Sequence, residues 1–191
     1  KSTAAVTATN AINVTGTIAQ ITTALVGASS VVAASSTVAV SDATSVAEAN
    51  VIDGLTTGAI TATLDAGAVS TYSGLTGTGN AYTVTVNDSA TDSIAATVLS
   101  TLGGKTTGVV TVSNAIVVTG TQAELTAALV TAGTLVVAGS ATGTISDGDN
   151  DSITATSLSA IGAKTSGAIT VTNAVNVTGT TAEVTAALVT T

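Results

Sequence analysis

One segment occurs three times in this chain without a gap. Lys1 to Ala28 reads KSTAAVTATNAINVTGTIAQITTALVGA, Lys105 to Ala132 reads KTTGVVTVSNAIVVTGTQAELTAALVTA, and Lys164 to Thr191 reads KTSGAITVTNAVNVTGTTAEVTAALVTT. The match between the last two runs upstream as well, where Ser93 to Thr97 corresponds to Ser152 to Thr156. A diverged copy begins near Leu55, and repeat starts fall near 1, 55, 105 and 164. Self-similarity at this period marks a repeat architecture, in which each unit buries its apolar face against the next. The expectation is one β-solenoid over 1–191, a single elongated repeat stack. It would be mainly parallel β with short helical turns (β/α-type coils), and each period roughly two coils.

The interior of a repeat is readable. From Val6 to Gly16, the set Val6, Ala8, Asn10, Ile12 and Val14 alternates with a Thr-rich set, the period of a strand with one buried face. Gly16, Gly120 and Gly179 close these runs, and each is followed by Thr-x-x-Gln or Thr-x-x-Glu. That spacing is a capping box, in which hydroxyl and carboxylate or amide satisfy the first free N–H groups of a helix. Ser45-Val46-Ala47-Glu48 offers another. Further strands are expected at Val38 to Val40, Ala81 to Val86 and Thr134 to Ala138.

Composition narrows the function. The apolar share is 45%, yet Tyr72 and Tyr82 are the only aromatic residues, so the core is built of Val, Ile, Leu and Ala. The chain has no His and no Cys, which removes the common nucleophile–base pairs and thiolate metal sites. Lys1, Lys105 and Lys164 are the only cations and the formal charge is −8. Nucleic acid needs Lys and Arg to neutralise phosphate, so it is not an expected partner, and no apolar run is long enough for membrane insertion. No enzymatic activity is expected.

Three patterns are candidate sites. Asn10, Asn114 and Asn173 share one repeat position on the inward phase and suit a structural ladder of stacked amides. Asp147, Asp149 and Asp151, spaced by Gly148 and Asn150, have the oxygen-rich alternation that suits calcium, with a solvated turn as the alternative. Calcium is the one candidate cofactor. Outward Thr-x-Thr pairs such as Thr7/Thr9 and Thr170/Thr172 are similar to those of ice-binding β-solenoid proteins, and they also suit any exposed strand.

The segments from Ser45 to Gly58 (SVAEANVIDGLTTG) and from Leu75 to Val84 (LTGTGNAYTV) resemble modules of very large repetitive surface proteins of cyanobacteria and marine bacteria. The resemblance implies secretion, an extracellular or cell-surface location, and often calcium. The chain starts and ends on the same segment and reads as a mature product or a piece of a longer chain. The expected role is structural, in a filament, sheath or surface layer that stacks end to end. The expected partners are copies of itself or adjoining repeats of the same long chain. A calcium-stiffened adhesin stalk and an ice-binding protein are the alternatives.

Overall fold

The computed structural model describes residues 6–26, 31–32 and 34–189. The strands are β1 (Val6–Thr7), β2 (Asn13–Gly16), β3 (Val31–Val32), β4 (Thr37–Thr44), β5 (Ile60–Leu64), β6 (Ala81–Val86) and β7 (Ser93–Ala95). They continue with β8 (Val110–Val112), β9 (Val117–Gly120), β10 (Val136–Val137), β11 (Thr142–Ile145), β12 (Ser152–Thr154), β13 (Ile169–Val171) and β14 (Asn176–Thr178). The α-helices are α1 (Ile18–Leu25), α2 (Val46–Asp53), α3 (Ala96–Gly103), α4 (Gln122–Leu125), α5 (Ala155–Gly162) and α6 (Thr181–Leu188). A π-helical turn, Thr126–Val130, prolongs α4.

The expected β-solenoid is overturned. The chain is an α/β fold whose largest sheet has six parallel strands in the order β10-β8-β6-β5-β4-β2. A four-stranded sheet, β13-β11-β9-β7, and two pairs, β1-β3 and β12-β14, stand apart from it. Two physical causes separate this from a single stack of coils with short turns. First, the capping boxes start complete helices, eight residues long in α1, α2 and α6, which serve as the crossovers that parallel strands require. Second, the long alternating run of each repeat is broken at its Asn into two short strands that join different partners, as at β8 and β9 on either side of Asn114. A side-chain amide that bonds to backbone offers the chain an alternative to the strand ladder.

Two compact units divide the chain. One reaches to Thr85 and takes in Lys105–Val109, and the other holds Val86–Gly104 and everything from Val110 onward. In the first, β5 alternates as its sequence requires: Ile60, Ala62 and Leu64 are buried while Thr61 and Thr63 are exposed. Its core is completed by Ile21, Ile52, Tyr82 and Val84. In the second, Leu99, Val110, Ile116, Leu125, Ile145 and Ile161 are all fully or nearly fully buried. The second core is wholly aliphatic, and the first adds Tyr72 and Tyr82 to its aliphatic side chains. Burying a Val, Leu or Ile side chain contributes about 1.5–3 kcal/mol, so many small layers replace one wide aromatic centre.

The strands pair in parallel, with Asn13 opposite Thr37, Val38 opposite Ile60, and Gly143 opposite both Val118 and Ile169. Hydrogen bonds between neighbouring segments link residues 20 to 27 apart. Within β4 the register slips between Ala39 and Ala43, a bulge that turns the strand before α2.

Candidate functional site

Two local devices recur along the chain, and both include bonds to a neighbouring segment. The first surrounds the helix starts. Thr17, Ser45, Thr121 and Thr180 all form complete capping boxes with Gln20, Glu48, Glu124 and Glu183. The Thr121 N–H donates to Glu124 Oε2 at 2.8 Å, and the Glu124 N–H returns to Thr121 Oγ1 at 3.3 Å. These bonds to the ionised form, from Ser45 and Thr180, hold the Glu48 and Glu183 carboxyls below the usual carboxylate range. Two helices gain a further anion from the following segment. The Ile18 N–H donates to Asp42 Oδ1 at 2.8 Å, and the Gln122 N–H donates to Asp147 Oδ2 at 2.6 Å. A carboxylate there also faces the positive end of the helix dipole.

The second device is a Thr-Thr-Gly or Thr-Ser-Gly clamp that follows each of α2, α3 and α5. Thr106 is buried, and its hydroxyl lies 2.8 Å from the Tyr82 carbonyl and 3.1 Å from that of Asn80. The Thr107 N–H donates to Asn80 O at 2.8 Å, and the Gly108 N–H donates back to Thr106 Oγ1 at 2.9 Å. Thr56 repeats this on Ser36 and Ala34, and Thr165 on Ala141 and Gly139. The clamp brings two backbones so close that a Cβ at Gly58, Gly108 or Gly167 would stand 2.3, 2.3 or 2.2 Å from a carbonyl oxygen.

Against this regular background one face stands out. Leu25, Leu129 and Leu188 share a repeat position, with exposures of 8%, 5% and 60%. Leu125 is fully buried and its counterpart Val184 only half-buried, and Val110 and its counterpart Ile169 differ in the same way. Leu158, Ala168, Ile169, Val171, Ala187 and Leu188 line an open groove of 710 Å³ in the second unit. The groove borders β13, which is an edge strand of its sheet.

The acidic residues singled out from the sequence are occupied as hydrogen-bond acceptors. Asp147 caps α4, Asp149 Oδ1 accepts the Ala174 N–H at 3.1 Å, and Asp151 Oδ2 accepts the Gly148 N–H at 2.8 Å. Among the described residues no group of three or more acidic side chains is arranged to hold a metal ion. The asparagines sit at the bends between strands. Asn114 donates to the Asp88 carbonyl at 2.7 Å and Asn173 to the Asp147 carbonyl at 2.6 Å, so these two amides join neighbouring segments through backbone oxygens. Asn10 lies at an exposed bend.

The first unit departs from the repeat around Asp53, where the equivalent residues of α3 and α5 are Gly103 and Gly162. Asn80 is buried, donates to Asp53 Oδ1 at 2.7 Å and accepts the Ile60 N–H at 2.8 Å. Asp53, Thr57, Gly77, Thr78, Gly79 and Asn80 line a polar groove of 410 Å³. Tyr82 beside them is fully buried, and its hydroxyl finds no hydrogen-bond partner among the described residues. Burial pushes this hydroxyl up to about 12, aided by the Asp53 charge and opposed by the Asn80 side chain. Tyr72, the other aromatic, is satisfied, donating toward the carbonyls of Asp65 and Thr85 at 2.8 and 2.7 Å. The clamp threonines and Asp42 were not evident as partners in the sequence. Their signal was the repetition of Thr-Thr/Ser-Gly and of an Asp soon after a strand.

The class defined by this architecture is an α/β protein with parallel sheets and internal repeats. No family model, curated protein or solved structure matches the chain. Among the described residues no helix is long and apolar enough to cross a membrane.

Proposed function

We propose that this is a structural repeat protein that assembles with further repeats of its own kind, as part of an extracellular filament, sheath or surface layer. One observation carries the reading: a repeated apolar face is covered at Leu25 and Leu129 and bare at Leu188. An open edge of parallel strand carries unpaired N–H and C=O groups and invites addition of another chain. Exposed apolar surface next to such an edge adds a driving force for association. The absence of His and Cys from the sequence supports a non-catalytic role, and the charge of −8 with three cations disfavours nucleic acid as a partner. The likeness of Ser45 to Gly58 and Leu75 to Val84 to modules of large bacterial surface proteins supports the extracellular location.

Sedimentation velocity with electron microscopy tests the reading. The expected result is concentration-dependent association into open-ended fibres or sheets, suppressed by Leu188→Lys. Monodisperse monomers at every concentration, with no ordered assemblies, would overturn it.

A further inference from the structure

The first unit carries a feature that repetition does not require and that is independent of assembly. Thr56, Thr106 and Thr165 each clamp two carbonyls of the preceding segment: those of Ala34 and Ser36, of Asn80 and Tyr82, and of Gly139 and Ala141. Asn80 therefore stands where other segments have Ala34 and Gly139, and Tyr82 where they have Ser36 and Ala141. Asp53 stands where they have Gly103 and Gly162. Positions that are small elsewhere carry large polar side chains at this one place, and those side chains converge. Asn80 donates to Asp53 Oδ1 at 2.7 Å, and the buried Tyr82 hydroxyl lies within reach of the Asp53 charge and the Asn80 side chain. That hydroxyl has no hydrogen-bond partner among the described residues, and a polar group buried so is retained against a cost in stability.

The backbone differs here as well. The Val110 N–H donates to the Leu135 carbonyl at 3.1 Å, whereas the N–H of its counterpart Ile60 donates to Asn80 Oδ1 at 2.8 Å. A side chain thus spans an interval that backbone closes elsewhere, and the polar groove of 410 Å³ lies beside it. Its lining belongs wholly to the first unit. One wall is the turn 77–79, with Gly77 at φ +73° and Gly79 at φ +86°. A Cβ on Gly77 would stand 2.4 Å from Asp53 Oδ2, so glycine is what lets the turn approach the carboxylate.

The fold leaves this lining half-used. Asp53 Oδ1 is taken by Asn80, and Oδ2 has no hydrogen-bond partner among the described residues. The Thr78 hydroxyl and the N–H groups of Gly77, Thr78 and Gly79 have none there either. An acceptor beside several donors suits a group that both donates and accepts, as a hydroxyl does. An ammonium only donates, a sulfate-like anion only accepts and meets the Asp53 charge, and calcium takes about six or more oxygens where one carboxylate is offered. The volume falls within the roughly 300–1,000 Å³ usual for small-ligand clefts. We propose that this groove binds a sugar ring through two adjacent hydroxyls, one donating to Asp53 Oδ2 and the other accepting from the 77–79 turn. Asn80, fixed by the Ile60 N–H, holds the carboxylate in place.

The test is a heteronuclear NMR titration of the full chain with the methyl glycosides of glucose, galactose and mannose. At least one shifts the amide signals of Thr78, Gly79 and Ile60 saturably, with a dissociation constant on the order of millimolar, ordinary for a ring of that size in an open groove. Asp53→Gly restores the residue found at 103 and 162 and abolishes the saturable shifts. Asp53→Asn keeps an oxygen for Asn80, loses the charged acceptor, and weakens binding about tenfold. Unchanged dispersion of the remaining signals shows that both variants fold. Three results would each overturn the proposal: no saturable shift with any of the three glycosides, full-strength binding by Asp53→Gly, or saturation of the same amides by calcium chloride or ethylammonium chloride and not by sugar. An assembling chain that binds no sugar would remove this proposal alone, and sugar binding by a strict monomer would remove the assembly reading alone.

Discussion

At the scale of single residues, the two tyrosines show opposite solutions to burial. Tyr72 donates hydrogen bonds toward backbone carbonyls, whereas the buried Tyr82 hydroxyl has no partner among the described residues. A buried polar atom left unpaired costs about 1–3 kcal/mol, so Tyr82→Phe is expected to leave the melting temperature unchanged or raise it. The same residue sets an alkaline limit. Its hydroxyl titrates at about 12 in the fold against an ordinary value of 10.0. Below the lower value both states are neutral and the contribution is fully present, and it is lost as pH rises through that window, where only the unfolded chain has ionised. Thermal melts across this range should show a fall for the natural chain that is shallower in Tyr82→Phe. A variant that melts lower with an identical alkaline fall would refute the assignment. The clamp glycines give a second residue-scale prediction. Gly108→Ala forces a methyl against the Tyr82 carbonyl and should cost about 2–3 kcal/mol, as overpacking does, while Gly139→Ala, open within 4 Å, stays within about 0.5 kcal/mol. Denaturant unfolding of the two variants decides it.

Among the elements, the helix starts were the most legible in the sequence. All four capping boxes read from Thr-x-x-Gln, Thr-x-x-Glu and Ser-x-x-Glu form as drawn, because a box is closed within four residues and needs no tertiary information. Strand β6 falls on the expected Ala81–Val86, and β5 alternates as Thr and aliphatic residues predict. The strand from Val6 to Gly16 was less legible. Its period-two pattern is intact, but the backbone turns at Asn10, and an asparagine that corners a chain looks in sequence like one that faces inward. The carboxylate caps supplied from the next segment were hidden for a different reason. Nothing local ties Asp42 to Ile18 or Asp147 to Gln122, residues 24 and 25 apart. Asp147→Ala should therefore weaken α4 rather than its own loop, lowering stability by about 1 kcal/mol, the usual size for a helix cap. Hydrogen exchange that quickens at Gln122 confirms this, and a change confined to 148–151 contradicts it.

For the molecule as a whole, repetition was visible in the sequence and the architecture built from it was not. Three matching segments implied that faces would be shared between neighbours. They did not reveal that bends and full helices would distribute the strands over several sheets in an α/β fold. The candidate site was legible only in part. The repeat told which positions are equivalent, but only the exposures of Leu25, Leu129 and Leu188 reveal which equivalent face is uncovered. In repeat proteins stability is close to a sum of unit terms and neighbour-interface terms, so covering the bare face should add an interface term. The most direct measurement is the thermal melt of a chain extended after Thr190 by a further copy of residues 132–163, with hydrogen exchange at Leu188. Addition of like to like predicts a higher melting temperature and a Leu188 amide that exchanges as slowly as that of Leu129. An unchanged melting temperature with the added segment exchanging as free chain would contradict it.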